Sequence, residues 1–130
     1  MKRFIILAGL ISIGTYDQAA GFVGFAYCQE SDYQLVDAKT VTVVTQRRTY
    51  SPKCLKVKVN TTVTLPGSSI HPLQAADNLN SVVNPFRSEN YGHTSAQTHT
   101  LSTPGFYGYF CANHGDSDGN GMAGTIMVVP

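Results

Sequence analysis

Phe106-Tyr107-Gly108-Tyr109-Phe110-Cys111 runs into the turn-rich stretch Ala112-Asn113-His114-Gly115-Asp116-Ser117-Asp118-Gly119-Asn120-Gly121-Met122, followed by Gly124-Thr125-Ile126-Met127-Val128-Val129. The aromatic run before the turn and the β-branched run after it have strand composition. Two strands joined by a polar, glycine-rich loop read as a hairpin. Working outward, the same signature repeats. Thr40 to Thr45 is β-branched throughout, and Cys54 to Val59 places Leu55, Val57 and Val59 on one face with Lys56 and Lys58 on the other. Thr62 to Leu65 is closed by Pro66-Gly67, and Gln97 to Leu101 is followed by the Thr103-Pro104-Gly105 turn. Short strands, frequent turns and no long 3.6-residue period predict an all-β chain, an antiparallel Greek-key sandwich or barrel. His71 to His93 is the least regular part, and a short helical turn is expected around Gln74 to Leu79.

The chain has 130 residues, 42% of them hydrophobic and 13% charged, with nine Lys plus Arg against eight Asp plus Glu. That size holds one domain. The charge balance argues against nucleic acid as a partner. Met1-Lys2-Arg3 followed by the apolar run Phe4 to Gly14 has the layout of a signal peptide and is too short to cross a bilayer. A signal peptide over residues 1–20 is expected, with cleavage after Ala20 or as late as Ala26, leaving a domain over 27–130. The product is expected to be periplasmic or secreted and monomeric, with no stable membrane insertion. Its charge is balanced, seven basic residues against seven acidic ones.

Export lets thiols pair, and the chain has three: Cys28, Cys54 and Cys111. Cys28 and Cys54 both lie in the N-terminal half, outside any metal-like cluster, and are expected to form a disulfide. Cys111 is left over. It shares the turn-rich loop with His114 and Met122, so a thiolate, an imidazole and a thioether are tethered to one hairpin. Soft sulfur with imidazole selects copper over calcium or magnesium. Two histidines and a cysteine with a weak axial methionine form the electron-transfer arrangement. The second histidine must come from elsewhere. His71, just beyond the Pro66-Gly67 turn at a sheet end, is the best candidate, while His93 and His99 read as surface residues.

Taken together, Tyr107 to His114, the strand Gly121 to Val129 and His71 resemble a blue copper protein of the cupredoxin family, of the plastocyanin and pseudoazurin type. The resemblance extends back through Tyr50-Ser51-Pro52 and Leu55-Lys56-Val57 and covers about residues 50 to 130. It implies a ligand plane of His71 Nδ1, Cys111 Sγ and His114 Nδ1 with Met122 Sδ axial, and one copper ion cycling between Cu(II) and Cu(I). It also implies transient redox protein partners, no enzymatic turnover, and an electron port at His114 within an apolar patch that includes Pro72 and Ala123.

Three features depart from that pattern. Seven residues separate His114 from Met122, where plastocyanin-like loops have four. Pro72 follows His71 and has no N–H to offer the cysteine sulfur, so at most the Asn113 N–H is expected to donate there. The Cys28–Cys54 bridge is not general in the family. Other readings compete. Copper buffering or delivery would use the same ligands, a thiol enzyme would use Cys111 with His114 as base, and a purely structural sandwich would leave Cys111 unexplained. Asp116 to Gly121 also matches the opening of an EF-hand loop, but Met127 stands at the twelfth position, where a bidentate Glu is needed.

Overall fold

The computed structural model describes residues 24–77, 79, 80 and 82–130. The expected signal peptide and the cut after Ala20 lie outside these residues. Ten strands are present among the described residues: β1 Gln34–Leu35, β2 Thr40–Thr42, β3 Val44–Gln46, β4 Thr49–Ser51, β5 Cys54–Lys58, β6 Thr61–Leu65, β7 Leu73–Ala76, β8 Gln97–Leu101, β9 Gly105–Gly115 and β10 Gly121–Val129. They form a five-stranded sheet in the order β1-β5-β10-β9-β7, a three-stranded sheet β2-β6-β8 and the hairpin β3-β4.

The architecture is the expected sandwich, but pairing is mixed and the sheets do not close into a barrel. β10 runs antiparallel to β9 and parallel to β5, and β2 runs parallel to β6. Parallel neighbours arise because a chain that crosses to the other sheet between two strands returns at the same end. A second correction concerns Gln74 to Leu79. Leu73–Ala76 is a strand, paired antiparallel with β9 so that Leu73 lies opposite Cys111. The two alanines favour helix locally. Burial of Leu73, Ala75 and Ala76 against a long neighbouring strand outweighs that preference.

Alternation on the two longest strands divides the interior in two. Tyr107, Tyr109 and Cys111 of β9, with Met122, Ile126 and Val128 of β10, face the main core, where Leu55, Val57, Val63, Leu65, Leu73 and Phe86 join them. Gly124 shares that face because the Tyr109 ring lies across it. A Cβ at position 124 would stand 2.5 Å from Tyr109 Cζ. On the opposite face Ala123 packs with Ala26, Cys28 and Cys54 in a smaller cluster bordered by Phe25, Tyr33 and Phe110. The outer face of the second sheet is polar, and its cross-strand threonine pairs, Thr62 with Thr100 and Thr64 with Thr98, are hydrogen-bonded at 2.7 and 2.8 Å. Such pairs each contribute about 0.2–1 kcal/mol.

The smaller cluster exists because the segment from Gly24 to Tyr33 folds back over the large sheet. The expected disulfide anchors it, with Cys28 and Cys54 Cα atoms 5.8 Å apart. Closing a loop of that size is worth roughly 3–4 kcal/mol in the chain-entropy account. The Thr125 hydroxyl donates to the Phe25 carbonyl at 2.9 Å. Ala26 and Tyr27 both adopt left-handed backbone, φ 59° and 62°. Each such residue costs on the order of 1 kcal/mol or more, which the surrounding contacts must offset.

Candidate metal centre

His71 reaches the site from the loop between β6 and β7, and its position is set by a tight turn. The Ser68 hydroxyl accepts the His71 N–H at 3.0 Å, and the Ser68 N–H donates to the His71 carbonyl at 3.1 Å. Pro72 follows, buried beneath Gly92, where a Cβ would meet its ring at 2.7 Å. Its carbonyl accepts the Ala112 N–H at 2.9 Å, so the His71 loop enters β7 already joined to β9. Cys111 lies on β9 opposite Leu73, fully buried, and His114 follows three residues later near the strand end.

These three side chains, 40 residues or more apart in the chain except for Cys111 and His114, converge on one point. Cys111 Sγ is 3.6 Å from His71 Nδ1 and 3.6 Å from His114 Nδ1, and the two Nδ1 atoms are 3.2 Å apart. A circle through a triangle of those sides has a radius of about 2.0 Å, which matches a metal–imidazole bond of about 2.0–2.1 Å and approaches a metal–thiolate bond of about 2.3 Å. The three donors therefore fit one ion in their plane. They are the one such cluster of His, Cys, Asp and Glu among the described residues. Met122 is buried and packs in the same core cluster as Cys111.

Partial burial, with Arg48 and His71 nearby, holds His114 below the ordinary imidazole range, which favours its neutral form. Burial of Cys111 removes its sulfur from solvent, which disfavours the thiol-enzyme reading because a nucleophile must be reached by its substrate. Tyr50 lies near Cys111 in the same core cluster. Burial is the main cause that raises the Tyr50 phenol, and it stays protonated.

The polar side-chain atoms that contact Cys111 Sγ, among the described residues, are the two Nδ1 atoms. Asn113 acts through its side chain, with Nδ2 donating to the Ile70 carbonyl at 2.9 Å and Oδ1 accepting from the Tyr91 hydroxyl at 2.9 Å. The same hydroxyl donates to the Ala112 carbonyl at 2.7 Å. Asn113 and Tyr91 thus tie the His71 loop to the Cys111–His114 segment. Asn113 drew notice in the sequence only for its backbone N–H, and Tyr91 not at all. The Ser68-x-x-His71 spacing carries a local signal for a hydroxyl-capped turn, while the roles of Asn113 and Tyr91 depend on tertiary partners.

Two further expectations are corrected. His93 is not a free surface residue. Its Nε2 donates to the Phe86 and Arg87 carbonyls at 3.0 and 3.1 Å and pins the loop that precedes it, while the His99 ring packs edge-on against Phe86. Pro72 and Ala123 cannot form an exposed patch, because Gly92 covers one and the Gly24–Tyr33 segment the other. Ile70 and Tyr91, 67% and 65% exposed, are the large apolar residues at the surface beside the site.

The loop between His114 and Met122 is held by its own carboxylate. Asp116 Oδ1 accepts the Asp118 N–H at 2.9 Å and the Asn120 N–H at 3.2 Å. The Asn120 backbone bond is the main cause that holds the Asp116 carboxyl below its ordinary range. The EF-hand-like stretch is thus the turn of a β-hairpin.

No protein-family profile and no curated protein matches the chain. Solved structures do. The copper-containing nitrite reductase of Thermus scotoductus SA-01 superposes with a TM-score of 0.53 at 22% identity, over 83% of this chain and 30% of that one. Pseudoazurin from Methylobacterium extorquens AM1 gives a TM-score of 0.53 at 15% identity, over 69% of this chain and 75% of that one. The chain thus spans less than a third of the nitrite reductase. At these identities the likeness is one of fold, and the shared fold is the cupredoxin β-sandwich.

Proposed function

We propose that this chain is a small exported copper protein that carries single electrons between redox partners. The observation that supports it most is the triangle of His71 Nδ1, His114 Nδ1 and Cys111 Sγ, with sides of 3.2, 3.6 and 3.6 Å. One thiolate and two imidazoles around a single point suit copper, and Met122 is assigned as the fourth, axial donor. When bound, copper supplies a one-electron Cu(II)/Cu(I) couple. The chain's own residues set the conditions for it. β9 pairs with β7 between Cys111 and Leu73, and Pro72 accepts from Ala112, so the separation of the donors is fixed by a sheet rather than by mobile loops. A donor set that does not move between oxidation states keeps reorganisation small. Burial of Cys111 excludes water from the sulfur.

Partly exposed His114 is assigned as the route for electrons. Ile70 and Tyr91 beside it offer a small apolar surface for brief encounters, of the size that weak redox complexes use. The reading assigns no chemical turnover to the chain. The test is to add Cu(II) to the purified mature protein. An intense visible thiolate-to-copper band at one equivalent is expected, with a reversible potential and rapid electron self-exchange. A colourless protein ends the copper reading, and tight binding with negligible self-exchange points instead to storage or delivery.

The structure also bears on processing. Ala26 is buried, and Phe25 packs between Gly108 and Gly119, so a cut after Ala26 would remove part of the folded unit. We place cleavage before Gly24, with export to the periplasm or the exterior as a monomer. Mass spectrometry of the exported protein should give an N-terminus at or before Gly24. A start at Tyr27 would contradict this placement.

A further inference from the structure

The loop of seven residues between His114 and Met122 is long for one that must hold two ligands of a single ion. Beyond the contacts of Asp116, it is gripped from outside by the Gly24–Tyr33 segment. The Tyr27 hydroxyl donates to Asn120 Oδ1 at 2.5 Å, and Asn120 Nδ2 donates in turn to the Asp116 carboxylate at 3.3–3.4 Å. Gly119 is buried with φ +91°, and a Cβ there would stand 2.5 Å from Ala26 N and 3.0 Å from the Phe25 ring. Phe25 also fills the space over Gly108 of β9. One residue beyond Tyr27, the chain is fixed covalently to β5 through Cys28–Cys54. A rigid anchor, two residues in left-handed backbone and a hydroxyl aimed at the loop thus follow one another along the segment.

We propose that the Gly24–Tyr33 segment is a clamp on the metal loop, with Tyr27 as a positioning residue that sets how His114 and Met122 are held relative to each other. The clamp compensates for the length of the loop. His114 lies two residues before Asp116 and Met122 two residues after Asn120, so the Tyr27–Asn120–Asp116 chain of hydrogen bonds spans the gap between the ligands. The axial ligand is one of the controls on a copper site's potential, so a loosened loop alters that potential while the rest of the sandwich stays intact. The consequence for copper rests on the assignment of His114 and Met122 as ligands, but the grip on the loop does not.

The test is Tyr27→Phe, compared with Gly119→Ala, in the mature, disulfide-bonded protein. In the metal-free state, amide hydrogen exchange at Asp118 and Asn120 should accelerate about two- to tenfold in Tyr27→Phe, the worth of one hydrogen bond, with the thermal midpoint of the domain lowered by only a few degrees. In the Cu(II)-loaded state the midpoint potential and the intensity ratio of the visible bands should shift. Gly119→Ala should move the same readouts further. Unchanged exchange at Asp118 and Asn120 in both variants overturns the clamp, as does faster exchange with a potential and spectrum identical to wild type. If wild type takes up no copper, the electron-carrier reading falls by itself, and the metal-free exchange alone decides the clamp: acceleration supports it, no change overturns it.

Discussion

Cys111→Ser should abolish the visible band and weaken copper binding by more than about a hundredfold, since removing even an outer partner of a metal ligand costs 10–100-fold. The serine hydroxyl would face the same two Nδ1 atoms that now stand 3.6 Å from the sulfur. It is nearly isosteric, so the metal-free fold should change little. The contrast therefore appears on adding copper. An ion that binds only the folded state stabilises it by about 4 kcal/mol when present at a thousand times its Kd. For a domain of this size that raises Tm by roughly 15 °C. Wild type should show this rise and Cys111→Ser no more than about a third of it, because a site weakened a hundredfold then stands at about ten times its Kd. A band that survives the substitution, or equal thermal shifts in both proteins, would remove Cys111 from the site.

Gly124→Ala should destabilise the domain by about 1–3 kcal/mol or more, the cost of overpacking a filled core. The new methyl group would meet the hydroxyl of Tyr109 and stand 2.5 and 2.9 Å from its Cζ and Cε2. Tyr109 cannot retreat, because it is completely buried and its ring packs edge-on against Tyr50 at 4.9 Å. The same geometry predicts a partial rescue. The Tyr109 hydroxyl has no hydrogen-bond partner among the described residues, so Tyr109→Phe alone should be neutral or stabilising. In the double variant one of the offending atoms is gone while the ring remains. Denaturant midpoints for the four proteins give the coupling, expected to exceed about 1 kcal/mol. Additivity within about 0.5 kcal/mol would mean that the ring has another way to move.

What could be read from the sequence follows the range of the interactions involved. Strands with alternating or β-branched composition, such as Cys54–Lys58 and Gln97–Leu101, were legible because their pattern is local. Cys111 and His114 were legible because both sit on one hairpin, and His71 because it follows a turn at a strand end. Leu73–Ala76 was misread because its alanines carry helix propensity and its strand character comes only from pairing with β9. His93 was misread because its acceptors, the Phe86 and Arg87 carbonyls, belong to a loop whose course no local pattern dictates. The Gly24–Tyr33 segment lacked any strand or helix signal. Its glycine partners at 108 and 119 are meaningful only once the fold brings Phe25 to them.

The place of β10 in the large sheet bears on how the protein is made. That strand, residues 121–129, lies between β5 and β9, so the sheet stays in two unconnected parts until it is available. Synthesis at about 5–20 residues per second then offers no closed intermediate that folds in order from the N-terminus, and such long-range pairing is slow, in milliseconds to seconds. The large sheet remains incomplete until residues 121–129 have emerged. Met122 lies on that strand, so of the four candidate donors it is the one that joins the others only when the last strand is in place.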